Sequence, residues 1–242
     1  MLWQPQRSKV GNCRWNHTHH HRATAALDKN VHAKAGQTRE RILETSLAMF
    51  NAQGEPNVTT NHIADELEIS PGNLYYHFRN KEDIVEHVFA RYEARMDETL
   101  LVPEGRLPNL EDVWMQLHLV FECMWDYRFL YRDLVDILSR NRKLKAHFAR
   151  ILNRAATSAA AVLRGLSEAG ILRATPDEIR ATAENVLLVA TFWMNFNIVR
   201  HARAESDQND LAQGIYQVML LIAPFLRDAE RAHLNTLAQA YR

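Results

Sequence analysis

The sequence predicts an all-α protein, with a small three-helix unit near the N-terminus and a larger helical domain after it. Three observations carry this. From about residue 37 onward, apolar residues recur at three- and four-residue spacing almost without interruption. The alternation of β-branched residues that would mark strands is absent. Glycine is sparse, at 8 residues in 242, and several breaks between the periodic segments carry it or proline, as at Gly54 with Pro56 and Gly170 with Pro176.

Composition narrows the class. With 47% hydrophobic and 24% charged residues, the chain reads as an ordinary soluble globular protein. No run of about 18 apolar residues exists to span a bilayer, and the longest apolar stretch, 218–226, is broken by Pro224. Residues 1–11 lack the apolar core of a secretory signal. Two cysteines, Cys13 and Cys123, do not make a disulfide framework. The expectation is a cytoplasmic protein with no membrane partner. Basic and acidic residues balance at 29 each, but residues 1–41 hold eight basic side chains against only Asp28 and Glu40.

Residues 1–36 show no helical periodicity and read as a flexible basic arm. A first helix is expected over 38–53, where Ile42, Leu43, Ser46, Met49 and Phe50 share a face. Gly54 ends it and Pro56 prevents its return. Thr59 is a good N-cap for a short helix reaching about Leu67. After the connection Glu68-Ile69-Ser70, Ser70 caps a third helix with Pro71 at its first position, running to about Phe78. A longer helix follows over 82–100. The segment 101–108, with two prolines and a glycine, is the clearest break. Beyond it the pattern predicts helices over 109–127, 129–139, 142–170, 177–203, 208–226 and 228–241. The domains read as an arm 1–36, a helical unit 37–97 and a larger helical domain 98–242.

The segment 59–81 is the informative one. Two short helices meet at a tight turn, and the second carries polar and aromatic side chains where a plain surface helix needs none. A helix-turn-helix lays its second helix in the DNA major groove, which just admits it. Gly72 and Asn73 in the first turn of that helix would let it approach closely. Leu74 and Phe78 are spaced to face inward.

At this point the chain resembles the DNA-binding domain of the tetracycline-repressor (TetR) family of bacterial transcriptional regulators. The resemblance rests on Thr59, Thr60, Ile63, Ala64, Ser70, Gly72, Leu74, Tyr75, His77, Phe78, Lys81 and Glu82. It covers residues 38–85, about a fifth of the chain. One position departs: the family usually has glycine in the turn where this chain has Glu68, which must then tolerate φ > 0 at a cost of about 1 kcal/mol.

The resemblance implies contacts to double-stranded DNA. Thr60 and Asn61 would face phosphates, Pro71, Gly72, Asn73, Tyr75, Tyr76 and His77 would line the groove, and Lys81 would meet a phosphate. Chemistry supports part of this independently, since Asn73 can bond a base edge and tyrosine hydroxyls suit phosphate or thymine. Packing within the small domain is the competing reading for Tyr75 and His77. The resemblance further implies a homodimer on a near-palindromic operator, acting as a repressor that occludes a promoter and is released by a small apolar effector. No catalytic residues, metal or cofactor are expected, and the protein is not expected to be an enzyme.

Two aromatic clusters stand out in the larger domain, Trp114, Phe121 and Trp125, then Phe192, Trp193 and Asn195. They read either as core or as the walls of an effector pocket. The dimer helices implied by the resemblance are 177–203 and 208–226. One face would carry Val186, Val189, Trp193 and Asn197, and the other Ile215, Val218, Leu221 and Ile222. Packing inside one subunit is the alternative for both faces. A reading from another class takes Cys13, His17, His19, His20 and His21 as a metal-binding tract, but no HExxH motif accompanies them.

The recognition segment 60–81 has three acidic residues against Arg79 and Lys81, so charge alone cannot supply its affinity for DNA. Removing residues 1–34 is expected to weaken DNA binding without altering sequence preference. Titrations at several salt concentrations check this: the slope of log affinity against log salt should flatten by about 0.9 for each phosphate that the arm neutralises.

Overall fold

The computed structural model describes residues 18–102, 105–201 and 208–241, apart from the side chains of 18–34, 208 and 240. The chain divides between Arg41 and Ile42 into two units. The described part of the first is the start of helix α1, Thr18–Gln53. The rest of the fold belongs to the second.

The start of α1 corrects the expectation of a flexible arm over 1–36. Residues 1–17 lie outside the described ones, but from Thr18 the chain is helical. Five alanines fall between 23 and 35, with no proline. The lone Gly36 costs about 1 kcal/mol, which is too little to stop a helix that continues on both sides.

The head of the second unit is built as the punctuation dictates. Gly54, at φ 88°, ends α1 and leads into a single 3-10 turn, Glu55–Asn57. Helix α2 is Thr60–Glu66 and α3 is Pro71–His77. Helix α4, Lys81–Thr99, starts on Asn80, whose side chain accepts from the Asp83 amide at 2.8 Å. Such caps satisfy amides that a helix start leaves without partners.

The body comprises α5 (Leu110–Asp126), α6 (Arg128–Arg132), α7 (Leu134–Arg140), α8 (Arg142–Glu168), α9 (Pro176–Arg200), α10 (Gln208–Ile222) and α11 (Asp228–Ala238). The single helix expected over 129–139 is two short ones, broken at Asp133 with ψ 19°. The helix expected over 208–226 ends at Ile222 in a 3-10 turn that holds Pro224. Among the described residues there is no strand, only one isolated bridge between Leu172 and Leu226. No helix there is long and apolar enough to cross a membrane.

Two apolar cores form. The first joins Ile42, Phe50, Ile63, Leu74 and Phe78 of the head to α4, the end of α5, α6, α7 and the first half of α8. The second joins the start of α5 to the end of α8, α9, α10 and α11. In the second, Gly214 of α10 lies so close to its neighbours that a Cβ there would meet Phe121 at 2.5 Å and Trp193 at 2.7 Å. Gly214→Ala is therefore expected to overpack this core and destabilise the fold by about 1–3 kcal/mol, read from the shift in a urea denaturation curve.

Candidate nucleic-acid interface and body cavity

Helices α2 and α3 form the helix-turn-helix. Thr59 caps α2, accepting from the His62 amide at 3.2 Å, while the Thr59 amide donates to His62 Nδ1 at 3.4 Å. Ser70 Oγ accepts from the Asn73 amide at 3.2 Å, and Pro71 opens α3. Between them Glu68 sits at φ 54°, the left-handed conformation that glycine usually supplies. Ile63, Ala64, Leu67, Leu74 and Phe78 point into the first core.

The residues singled out by sequence for DNA fall at the two helix starts and along α3. Asn61, Pro71, Gly72 and Asn73 are exposed. Tyr76 is 79% exposed and Tyr75 50%, high values for aromatic rings. Thr60 is half-buried, its hydroxyl 3.0 Å from the Tyr75 hydroxyl, a bond that ties the start of α2 to the middle of α3. Half-buried His77 meets the Tyr76 ring edge-on at 5.1 Å. At Gly72 the nearest atom to an added Cβ would be Ser70 Oγ at 4.0 Å. No close contact inside the protein requires a glycine there.

Lys81 lies differently from its expected place against a phosphate. Its ammonium donates to the Glu55 carbonyl at 3.0 Å and pairs with the Glu55 carboxylate at 3.0 Å. The carboxylate's other oxygen pairs with Arg140 at 2.7 Å. A buried carboxylate needs such partners. Sequence reasoning missed this role because Glu55, Lys81 and Arg140 are far apart in the chain and carry no shared motif.

Among the described residues the body holds an apolar cavity of about 630 Å³, counting its open side. Its walls are Tyr92 and Met96 of α4 with Leu100 just after it, Gln116, Val120 and Met124 of α5, Tyr131 of α6, Ile151 and Ser158 of α8, and Ala190 and Thr191 of α9. Of the six residues assigned to a pocket by sequence, none lines it. Phe121 is buried in the second core, and Trp193 Nε1 donates to the Asp210 carbonyl at 2.6 Å. Trp114 stacks on His118, and Trp125 lies under the Arg128 guanidinium at 4.8 Å. Phe192 is exposed, and Asn195 reaches the Arg132 carbonyl at 3.5 Å. The reason is steric. Large rings at helical spacing fill their space, whereas the cavity opens where Ala155, Ala159 and Ala190 leave it. The signal available in sequence was the opposite one, small residues facing flexible ones.

The cavity's polar groups are neutral. Burial raises both the Tyr92 and Tyr131 hydroxyls well above the ordinary range for tyrosine. Nearby Cys123 is fully buried, and burial pushes its thiol up to about 12. It therefore stays a thiol at neutral pH.

Of the faces expected to pair two subunits, Val186, Trp193, Asn197, Ile215, Val218 and Ile222 are buried within the subunit, where α9 packs on α10, and Val189 and Leu221 are partly buried against the same core, which favours the alternative of packing inside one subunit. The exposed apolar stripe of α9 is another face, Leu188 at 59%, Phe192 at 43%, Phe196 at 51% and Val199 at 81%. Cys13 and His17 of the alternative metal tract lie outside the described residues, as do the side chains of His19, His20 and His21.

Relief of the strained turn is measurable. Glu68→Gly is expected to stabilise the fold by about 1 kcal/mol, seen as a raised denaturation midpoint with unchanged slope.

The comparisons agree with this architecture. A model described as bacterial regulatory proteins, tetR family, matches residues 42–88, and one described as a TetR bacterial transcriptional repressor matches 91–234. The regulator AcrR of Shigella flexneri is 28% identical over 83 residues, 34% of this chain and 39% of that protein. The chain's matches thus span less than half the length of the curated relatives. A TetR-family transcriptional regulator from Marinobacter aquaeolei VT8 is 42% identical, covering 85% of this chain and 98% of that one, with a TM-score of 0.78. SmeT in complex with triclosan shares the fold, at 20% identity and a TM-score of 0.54, over 80% of this chain and 94% of that one. The chain therefore belongs to the TetR family of bacterial regulatory proteins.

Proposed function

We propose that the protein is a transcriptional repressor that occludes a promoter by binding a near-palindromic operator as a homodimer, and that a small molecule in the body releases it. One observation carries the DNA-binding reading. Helix α3 presents Gly72, Asn73, Tyr75 and Tyr76 outward, and Gly72 has no internal reason to be glycine. Thr60, Asn61, Pro71 and His77 complete the DNA-facing set. Lys81 stands beside it with its charge already engaged by Glu55, which weakens its pull on a phosphate. Residues 37–97 are the DNA-reading domain, and 98–242 regulate and dimerise. The stripe Leu188, Phe192, Phe196 and Val199 covers one α9 with its copy, since large exposed apolar patches mark association surfaces. The cavity against α4 is the effector site, a reading supported by SmeT, a protein of the same fold that forms a complex with triclosan. On this reading the protein is a cytoplasmic binding module and not an enzyme.

Recovery of bound DNA across the genome, with sedimentation of the purified protein, tests the proposal. A dimer at micromolar concentration on sites of approximate two-fold symmetry is expected. Asn73→Ala should change the preferred base at one position per half-site, at a cost of about 1–3 kcal/mol there. A stable monomer that retains no duplex would overturn the reading, and an Asn73→Ala variant with unchanged base preference would remove Asn73 from base readout.

A further inference from the structure

We propose that the body cavity selects an uncharged, largely apolar molecule carrying one acceptor oxygen, such as a ketone, ester or ether, and that this oxygen takes the spare hydrogen of the Tyr92–Tyr131 hydroxyl pair. The inference rests on the reading of this cavity as the effector site and specifies what enters it.

The first support is hydrogen counting. The Tyr92 and Tyr131 hydroxyls lie 2.5 Å apart, and both residues are buried. Each hydroxyl brings one hydrogen, and only one hydrogen can lie between the two oxygens. The other is left over. Among the described residues neither hydroxyl has a further hydrogen-bond partner. Both residues line the cavity, which is the route by which an acceptor would reach the leftover donor. A buried donor without an acceptor is unfavourable, and an oxygen brought by a ligand removes that deficit.

The second support is the absence of charge. None of the lining residues is acidic or basic. On α4 the charged residues Glu93, Arg95 and Asp97 between the lining positions are paired outside the cavity, with His147, Asp126 and Arg154 in turn. An ion entering the cavity would lose its water and gain no counter-charge. An anion fares worst, because the far end of the cavity is the C-terminus of α4. Among the described residues the Thr99, Leu100 and Leu101 carbonyls there are met by the neutral donors Gln116, Ser158 and Gln116, at 3.3, 2.7 and 3.3 Å. Helix C-termini repel negative charge.

The pair also explains how such a ligand would be sensed. Tyr92 is on α4, which begins at Lys81 beside the recognition helix. Tyr131 is on α6, whose Phe129 packs on Phe50 of α1 at 5.3 Å between ring centres. An oxygen bonded to the pair touches both connections from body to head at once.

Four naphthalenes of matched shape test the proposal against the full-length protein by calorimetry and thermal shift: 2-acetonaphthone, 2-isopropylnaphthalene, 2-naphthoate and 2-naphthyltrimethylammonium. The ketone is expected to bind about tenfold more tightly than the hydrocarbon, the value of one neutral hydrogen bond. Both ions should bind more than about tenfold more weakly than the ketone. In Tyr92→Phe/Tyr131→Phe the ketone should fall to the level of the hydrocarbon, whose own binding reports that the cavity survives. Should that variant not fold, the comparison of the four probes on the wild type still decides. Equal binding of ketone and hydrocarbon, or tight binding of either ion, overturns the proposal while leaving the cavity as an effector site. No binding of any probe, or binding that Ala190→Trp leaves unchanged, overturns both.

Discussion

A buried carboxylate has to be neutralised where it sits, and the residues that neutralise Glu55 fix how the head is mounted on the body. Lys81 comes from the start of α4 and Arg140 from the end of α7, so one side chain of a 3-10 turn holds two helices. The same turn is gripped through its backbone. The Glu55 amide donates to Asp133 at 3.4 Å, and Arg132 donates to the Phe50 carbonyl at 2.8 Å, covering the end of α1. Asn51 completes the joint, donating to the Asp126 carbonyl at 2.7 Å and accepting from the Phe129 amide at 3.1 Å. Glu55 is buried while Lys81 and Arg140 are 19% and 44% exposed, so solvent screens the two cations and each pair lies between a fully buried ion pair and an exposed one. The end of α1 and the 3-10 turn are thereby tied to α4, α6 and α7.

Helix α4 is the second tie. On the side facing α8 it carries Glu86, paired with Lys143 at 2.7 Å, and Glu93, paired with His147 at 2.7 Å. The bonds from Lys143 and Asn141 hold the Glu86 carboxyl below its ordinary range. Its apolar side supplies Tyr92 and Met96 to the cavity wall. One helix thus begins beside the DNA-facing surface and ends at the cavity, with its flank fixed by ion pairs that are individually weak.

What could be read from the sequence follows from where the physics is local. Thr59, Ser70 and Pro71 act on amides within three residues of themselves, so the starts of α2 and α3 were legible, as was the positive φ at Glu68. Helix α1 was misjudged because the alanines before Thr38 sustain a helix without any apolar stripe to announce it. The cavity failed for another reason. Periodicity shows that a helix has a buried face, but α5 has two, with Phe121 in one core and Met124 in the other. Which of them borders a void depends on residues of α8 and α9, far along the chain. The faces of α9 were exchanged likewise, since Trp193 and Phe192 are equally apolar and adjacent. The Glu55 cluster is wholly non-local and left no local trace.

The two apolar cores meet at the cavity. Tyr92, Met96, Met124, Tyr131 and Ile151 of its wall belong to the first, while Val186 belongs to the second. The void is therefore a seam between two packed masses, and seams are where a close-packed solid yields. Helices α5, α8 and α9 run through both cores, so the void interrupts side-chain packing and not the helices that cross it. Whatever fills it touches both masses at once and supplies packing between them that the helices alone do not.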